Sequence, residues 1–234
     1  MTVLFLDRSS RRTMAAVLLA EELALVALNP ESGCHAVGTR GQLNACFAAL
    51  LVADLLHTGL AEPAGYDGVT AASRRAPSSS SILDSAADVV AESGPSIATI
   101  LSSMDRGLAR RLGTGTWDAV MSGLLRDGVV TGRDRPRLPR YELVDVGVRD
   151  GIVQRLRTAA ATDEPLEPRT ALLLAMTWPA RLLEVVAPER RSRRHARDRI
   201  DQALNGREAD PLGNVYRRLV ADATVAAAAI SVVP

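Results

Sequence analysis

Residues 42–57 read QLNACFAALLVADLLH, a run with few polar interruptions, at Gln42, Asn44, Asp54 and His57. A helix that is apolar on nearly every side has no face to turn toward water, so it is usually the most buried helix of its domain. We therefore predict a helix over residues 42–57 and expect it to be the hub of the core.

Helical patterns also fill most of the chain on either side of this segment. The first helix is amphipathic, and we expect Glu21 and Glu22 to face solvent. In the later helices, proline near the first turn and glycine beyond the last turn mark the boundaries. The predicted helices span residues 13–28, 42–57, 81–93, 95–112, 116–127, 151–161, 168–186 with a break at Pro179, 188–204 and 211–230.

Two short segments, residues 60–72 and residues 129–144, have the turn residues and apolar runs of small β-hairpins. We therefore predict an all-α single domain of about nine helices around a buried helical bundle, with one or two small β-hairpins. Residues 1–12 are predicted to be a short N-terminal arm, and residues 13–232 to be the domain.

Composition excludes several classes of enzyme. The chain has 234 residues and a net charge of +1, and all 28 of its basic residues are arginine. Without lysine, the Schiff-base, phosphate-loop and kinase mechanisms that need a lysine amine are excluded. The longest apolar stretches, such as residues 45–53, are shorter than the roughly 18 residues of a membrane span. Cys34 and Cys46 fit no metal spacing, so we expect reduced thiols in a cytoplasmic protein.

Catalytic signals are weak. His35, His57 and His195 are far apart in sequence and belong to no metal-binding or nucleophile motif. Asp54 precedes His57 by one helical turn and is spaced to orient its imidazole. A histidine in the last turn of a helix also complements the helix dipole, and this structural interpretation is favoured. We predict no enzyme activity, no cofactor and no metal site.

Two arginine clusters are better candidates for function. Residues 189–199 read ERRSRRHARDR, and Arg190, Arg194 and Arg197 share one helical face. A solvated helix face is the favoured interpretation of this pattern. The second cluster lies in the loop of the predicted hairpin over residues 129–144. A projecting basic loop of this kind can bind membrane headgroups or a nucleic-acid backbone, or can act as a charged edge that prevents aggregation. Its arginines are Arg133, Arg135, Arg137 and Arg140.

The order helix, helix, Gly128, strand, loop and strand is also that of a winged helix-turn-helix protein. Residues 116–127 then take the position of the DNA-reading helix. That segment contains one arginine, Arg126, and two acids, Asp118 and Asp127. DNA-reading helices usually display several basic and amide side chains, so DNA binding is kept only as an alternative function.

Several segments, taken in order, resemble the Golgi phosphoprotein 3 family. They are EELALVALNPESG (residues 21–33), residues 48–60, LLRDGVV (124–130), YELVD (141–145) and the helices from residue 170 onward. The similarity spans residues 13–232 and lies in the shared order of elements. It implies a bacterial-type member with an all-α domain, acting as a peripheral membrane adaptor that recognises phosphatidylinositol 4-phosphate and is not an enzyme.

In that family the headgroup site consists of a tryptophan and three arginines. The corresponding positions here are Gly38, Phe47, Thr114 and Trp117, and none of them matches. Each difference removes a guanidinium that binds phosphate or the aromatic wall beside it. The hypothesis for a displaced lipid-headgroup site rests on nearby arginines, which are Arg40, Arg110 and Arg111.

The family's hairpin contributes to membrane contact and to self-association. Here the hairpin is more cationic than apolar, so we expect electrostatic docking rather than insertion. The residues expected to contact the membrane are Arg135, Arg137, Leu138 and Arg140. We expect a cytoplasmic protein docked on anionic phospholipid at the inner face of the membrane, with the hairpin as the route to a homo-oligomer. A lipid-independent protein-interaction scaffold is a further hypothesis.

Overall fold

Ten helices and two hairpins make up the described part of the chain. The structure, a computed structural model, describes residues 17–30, 40–73, 78–133, 140–205 and 210–230. The strands β1 (Ala61–Ala64) and β2 (Gly68–Ala71) form one antiparallel hairpin, and β3 (Val130–Arg133) and β4 (Arg140–Leu143) form the other. The helices are α1 (Leu19–Ala27), α2 (Arg40–His57), α3 (Ser81–Ser93), α4 (Ile97–Leu112), α5 (Thr116–Arg126), α6 (Val146–Ala161), α7 (Pro168–Met176), α8 (Leu183–Val186), α9 (Arg190–Asn205) and α10 (Pro211–Ile230).

This architecture confirms the predicted all-α single domain with two small hairpins. The predicted break at Pro179 separates α7 from α8, which accounts for ten helices where about nine were expected. The arm predicted over residues 1–12 lies outside the described residues.

Helix α2 is the hub of the core, as the sequence predicted. It packs against α1, α3, α4, α5, α7 and α10. Twelve of its eighteen residues are buried, and Phe47, Leu50 and Leu51 are among the fully buried large side chains. Burial of each large apolar side chain contributes roughly 1.5–3 kcal/mol, so this helix is a major source of the stability of the fold.

Helix α1 is buried along its whole length, including both of its acidic residues. The prediction that Glu21 and Glu22 face solvent is therefore wrong. The first backbone N–H groups of a helix have no partner inside the helix, and a buried N-terminus cannot use water instead. The Glu21 carboxylate accepts the N–H of Leu18 (3.0 Å), and the Asp54 carboxylate of α2 accepts the N–H of Leu19 (2.8 Å).

Two arginines from later helices bring positive charge to these acids. Arg169 of α7 pairs with Asp54 (3.4 Å) and with Glu22 (3.5 Å), and Arg155 of α6 also pairs with Glu22. Burial outweighs the attraction of Arg169 and raises the pKa of both Asp54 and Glu21 to about 7. Two carboxyl groups at the start of α1, those of Glu21 and Asp54, therefore have pKa values near neutral pH.

Capping places the start of one helix before its predicted position. Helix α6 begins at Val146 rather than Gly151 because the Asp145 carboxylate accepts the N–H of Gly147 (2.8 Å) and caps the helix. Helix α3 begins at Ser81, as predicted.

The α7–α8 turn and the start of α9 lie side by side at the surface. The turn contains Arg181 at φ 57°, which is the one non-glycine residue with positive φ in the described part of the chain. Helix α9 packs against α6, α7 and α10, and α10 packs against α2. A contact between Trp178 of the turn and Arg197 of α9 fixes the two segments together.

Candidate anion-binding surface

The positions that the resemblance assigns to the headgroup are filled by aromatic packing. Phe47 is fully buried and stacks on Trp117, with ring centres 5.6 Å apart. Arg40 lies 6.0 Å from the centre of the Trp117 ring and pairs with Asp118 of α5. Gly38 lies outside the described residues. Two stacked rings do not provide the guanidinium donors that bind phosphate.

The other two arginines of the predicted headgroup site face acids on α3. Arg110 lies 3.8 Å from a carboxylate oxygen of Glu92. Arg111 pairs with the same Glu92 and lies 3.7 Å from Asp88. Arg40, Arg110 and Arg111 thus all have acidic partners that compensate their charge. Binding of a headgroup by these three residues stays a prediction.

The predicted membrane-contact hairpin is described only at its base. Arg140 begins β4, and exposed apolar side chains lie on the segments that enter and leave the hairpin, at Leu125, Val144 and Val146. Membrane contact and self-association through the hairpin stay predictions. The remaining predicted contact residues lie outside the described part of the chain: Arg135, Arg137 and Leu138.

The first half of α9 carries exposed arginines whose charge is not compensated. Arg190, Arg191 and Arg194 are exposed, and none forms an ion pair with a residue that the structure describes. We call these three residues the α9 basic face. Together with Arg193 and Arg197 they line an open groove of about 860 Å³. Because α9 begins at Arg190, the partial positive charge of the helix N-terminus adds to theirs.

A cleft of about 560 Å³ lies beside the α9 basic face, between α9, α10 and the α7–α8 turn. The Arg197 guanidinium stacks on Trp178, with its central carbon 3.5 Å from the ring centre. Arg193 pairs with Glu184 at 3.7 Å, and Arg181 lines the cleft from the turn. We call this space the Trp178 cleft. Part of its wall is apolar, formed by Leu183 and Ala227.

A recess of about 490 Å³ continues the basic surface on the other side of α9. It is lined by Arg191 and His195 of α9 and by Arg157 of α6. The Nε2 atom of His195 lies 3.8 Å from a carboxylate oxygen of Asp163, and Arg157 donates to the carbonyl of Val185 (3.1 Å). Arginines therefore flank the start of α9 on both sides.

Sequence reasoning found the α9 arginines but missed the residues that face them. The pattern in residues 189–199 identified Arg190, Arg194 and Arg197, although a solvated face was the favoured interpretation. Trp178 and Arg181 were missed because they approach α9 only in the folded chain. The signal in the sequence was a tryptophan next to Pro179 at a predicted helix break, since a large ring at an exposed turn often marks a binding surface.

Helix α5 lacks the free face that a DNA-reading helix needs. Seven of its eleven residues are buried, and it packs against α1, α2 and α4. Its exposed residues are Ser122, Leu125 and Arg126. A recognition helix inserts a polar and basic face into the major groove, so this geometry disfavours the winged-helix alternative.

The titratable groups of α2 have structural partners. His57 Nδ1 lies 2.8 Å from the carbonyl of Ala53, its Nε2 lies 3.1 Å from the Tyr216 hydroxyl, and burial lowers its pKa. Asp54 caps α1 rather than orienting His57. Burial raises the pKa of the Cys46 thiol to about 12, so it is not a reactive thiolate. The structure agrees with the structural interpretation of the Asp54 and His57 pair.

Within the described ranges, no group of three or more histidine, cysteine or acidic side chains is arranged to hold a metal ion. None of the helices in those ranges is both long and apolar enough to cross a membrane.

No curated protein matches the sequence. The family model described as Golgi phosphoprotein 3 (GPP34) matches residues 19–223, a span that includes α1 to α9 and the α9 basic face. Since this match covers most of the chain, the protein belongs to the Golgi phosphoprotein 3 family.

Proposed function

We propose that the protein is a non-enzymatic adaptor that docks reversibly on anionic phospholipid membranes through the α9 basic face. The observation that carries the proposal is the exposed, uncompensated charge of Arg190, Arg191 and Arg194 on one half of one helix. Membership of the Golgi phosphoprotein 3 family supports it. The proposed partner is an anionic phospholipid surface, at the inner face of the membrane.

The expected strength follows from the number of arginines that reach the surface. Each basic residue near an anionic membrane contributes about 1 kcal/mol, so the three residues of the α9 basic face contribute about 3 kcal/mol together. Little of this is lost to desolvation, because the arginines are already exposed and stay hydrated at the headgroups. Trp178, which is 40% exposed at the edge of the same surface, adds an aromatic ring of the type that prefers the membrane interface.

The proposal concerns negative charge rather than one headgroup. Phe47 and Trp117 occupy two of the four positions that correspond to the family's site for phosphatidylinositol 4-phosphate, and here the two rings pack against each other. Recognition of that lipid therefore enters the test as one vesicle composition among several. The displaced site at Arg40, Arg110 and Arg111 is a competing location for the same activity.

Vesicle flotation tests the proposal. The full chain is floated with phosphatidylcholine vesicles, and with vesicles in which phosphatidylglycerol or phosphatidylinositol 4-phosphate replaces part of the phosphatidylcholine. We expect binding to both anionic compositions, little binding to the neutral one, and loss of binding as sodium chloride rises from about 0.05 M to about 0.5 M. Equal flotation with neutral and anionic vesicles at low salt would overturn the proposal.

Duplex DNA provides the control for a general preference for phosphate. The same arginines would be attracted to a nucleic-acid backbone, and such binding also weakens with salt. We expect DNA to compete poorly, because the α9 basic face offers three arginines rather than the broad basic surface of a DNA-binding domain. Tighter binding to duplex DNA than to anionic vesicles at the same salt concentration would contradict membrane docking.

A further inference from the structure

The turn that leads to Arg181 is a Schellman motif. The N–H of Leu182 donates to the carbonyl of Thr177 (2.7 Å), and the N–H of Arg181 donates to the carbonyl of Trp178 (3.0 Å). This pair of bonds ends a helix with one residue in the left-handed conformation, which is usually glycine because a side chain there is unfavourable. Arg181 occupies that position with φ 57°.

The chain forms the same turn twice more, each time with glycine. After α2, Leu60 bonds to Leu55 and Gly59 bonds to Leu56, with φ 71° at Gly59. After α5, the equivalent bonds run from Val129 to Leu124 and from Gly128 to Leu125, with φ 67° at Gly128. Of these three turns in the described chain, two have glycine at the left-handed position. The third, which lines the Trp178 cleft, has arginine.

The Arg181 side chain is open to the cleft. Arg181 is exposed and forms no ion pair with the acids in the described ranges. Three arginines, Arg181, Arg193 and Arg197, line the cleft together with one acid, Glu184, which pairs with Arg193. The cleft therefore has an excess of positive charge, and Arg181 is the arginine whose position is unfavourable for any side chain.

We propose that the Trp178 cleft binds a phosphate ester, with the Arg181 guanidinium as its principal phosphate ligand. A planar guanidinium donates two parallel hydrogen bonds to phosphate oxygens, which a single ammonium group cannot do. The stacking of Arg197 on Trp178 fixes a second guanidinium in the wall of the cleft. The apolar wall at Leu183 and Ala227 leaves room for the organic part of the ester, and the cleft volume is within the range of small-molecule sites.

The ester has two sources, a phospholipid headgroup or a soluble metabolite, and both offer the same phosphate. Docking through the α9 basic face requires only delocalised charge and does not depend on this cleft. The two proposals can therefore fail separately.

Tryptophan fluorescence gives a direct measure of binding. The chain has two tryptophans, so Trp117→Phe leaves Trp178 as the single reporter in the cleft. Glycerol 3-phosphate represents the soluble ester, and dihexanoyl phosphatidic acid represents the lipid in monomeric form. We expect a saturable change in Trp178 emission with at least one of them, and none with potassium chloride at the same ionic strength. Saturation by only the lipid assigns the cleft to a headgroup, whereas saturation by glycerol 3-phosphate shows that the soluble ester is sufficient.

Arg181→Gly is the decisive variant because it removes the guanidinium and supplies the residue that the turn prefers. We expect it to unfold at the same or a higher temperature than the parent and to weaken ester binding at least tenfold. Arg191→Gln, which removes one positive charge from the α9 basic face outside the cleft, serves as the matched control and should weaken ester binding less than twofold.

Three results would overturn the proposal: no saturable binding of either ester, unchanged affinity in Arg181→Gly, or equal losses in Arg181→Gly and Arg191→Gln. If Trp117→Phe does not fold, calorimetric titration of the wild-type chain and Arg181→Gly with the same two esters gives the same comparison. Flotation of Arg181→Gly with phosphatidylglycerol vesicles separates the two proposals, since docking through the α9 basic face predicts nearly unchanged flotation.

Discussion

The exposed arginines of α9 and the arginines that reach the buried acids near the start of α1 have the same chemistry but opposite surroundings. Arg155 and Arg169 reach from α6 and α7 to the buried acids Glu22 and Asp54. Arg190 and Arg194 lie on an exposed helix face and form no ion pair with any described residue. The first group offsets negative charge inside the protein, and the second leaves positive charge available to a partner outside it.

The difference shows that the number of arginines says little about function in this chain. What matters is whether an acid lies within reach of each guanidinium. The arginines of α4 illustrate the intermediate case, since Arg110 is exposed, Arg111 is half-buried, and both face acids on α3. Removal of an arginine that pairs with a buried acid should therefore reduce stability, whereas removal of an arginine of the α9 basic face should reduce binding.

The largest expected change follows from Arg169→Met, which leaves the buried Asp54 carboxylate without its cationic partner. We expect the free energy of unfolding to fall by about 3 kcal/mol at pH 8, measured by urea denaturation. The loss should be smaller at about pH 6, because the protonated carboxyl needs no cation. Arg126→Met, at an exposed arginine beside Asp127, is the control and should change stability by less than about 1 kcal/mol. Similar losses in both variants would contradict the distinction between arginines that pair with buried acids and arginines that pair with exposed ones.

A smaller effect is expected from the titration of Glu21. Its pKa is raised by burial from the ordinary value of 4.5 to about 7, so the folded state binds more protons than the unfolded state between those values. This contribution to stability is fully present below about pH 4.5 and is lost as the pH rises to about 7. Glu21→Gln keeps an oxygen acceptor for the Leu18 N–H and removes the titration.

We therefore expect the unfolding free energy of Glu21→Gln to fall less steeply than that of the wild type between pH 5 and pH 8, by on the order of 1 kcal/mol. Denaturation of both proteins across that range checks the slope. Glu189→Gln, at an exposed carboxylate, should keep the wild-type profile. Parallel profiles for wild type and Glu21→Gln would show that the Glu21 carboxyl is not held in its neutral form.

Substitutions in the left-handed turns should change stability by a similar or smaller amount, and the expected sign differs between two of the turns. Gly128→Ala adds a side chain at φ 67° where no neighbouring atom is close, so backbone strain alone should lower stability by about 1 kcal/mol. Arg181→Gly removes that strain and makes the unfolded chain more flexible, so the net result should lie between no change and a gain of about 1 kcal/mol. Thermal unfolding measures both. A clear loss of stability in Arg181→Gly would indicate a structural role for the arginine.

The smallest expected effect concerns Arg40, which Asp118 compensates. Arg40→Gln should change partitioning onto phosphatidylglycerol vesicles by less than about twofold, because Asp118 already offsets most of the positive potential that Arg40 produces at the surface. Asp118→Asn is the informative companion, since it releases Arg40 and should increase binding slightly. A large loss of flotation in Arg40→Gln would restore the displaced headgroup site that the sequence suggested.

The sequence was sufficient for the fold because the fold depends on local patterns. The apolar run in residues 42–57 predicted the central helix, and Gly94, Gly128 and Pro179 marked real helix ends or breaks. The environment of Glu21 and Glu22 was not predictable in the same way. Glu22 pairs with Arg155 and Arg169, which lie more than a hundred residues away, and no periodicity in α1 reveals those partners.

The candidate surface was only partly predictable for the same reason. The run of arginines in residues 189–199 was visible, but whether acids compensate it depends on neighbours from other helices. Arg110 and Arg111 were equally visible and turned out to face Asp88 and Glu92. The role of Trp178 and Arg181 in the cleft could not be predicted from the sequence, because it depends on the contact between the α7–α8 turn and α9.

The most direct test compares two matched pairs of charge reversals in the vesicle flotation assay. Arg190→Glu with Arg194→Glu changes two exposed arginines one turn apart on α9, and Arg106→Glu with Arg110→Glu makes the same change on α4. Both variants should unfold at nearly the wild-type temperature, and both change the net charge equally. The account predicts that the α9 pair lowers partitioning onto phosphatidylglycerol vesicles by at least about 30-fold, and the α4 pair by less than about threefold. Equal losses in the two variants, or wild-type flotation of the α9 pair, would contradict it.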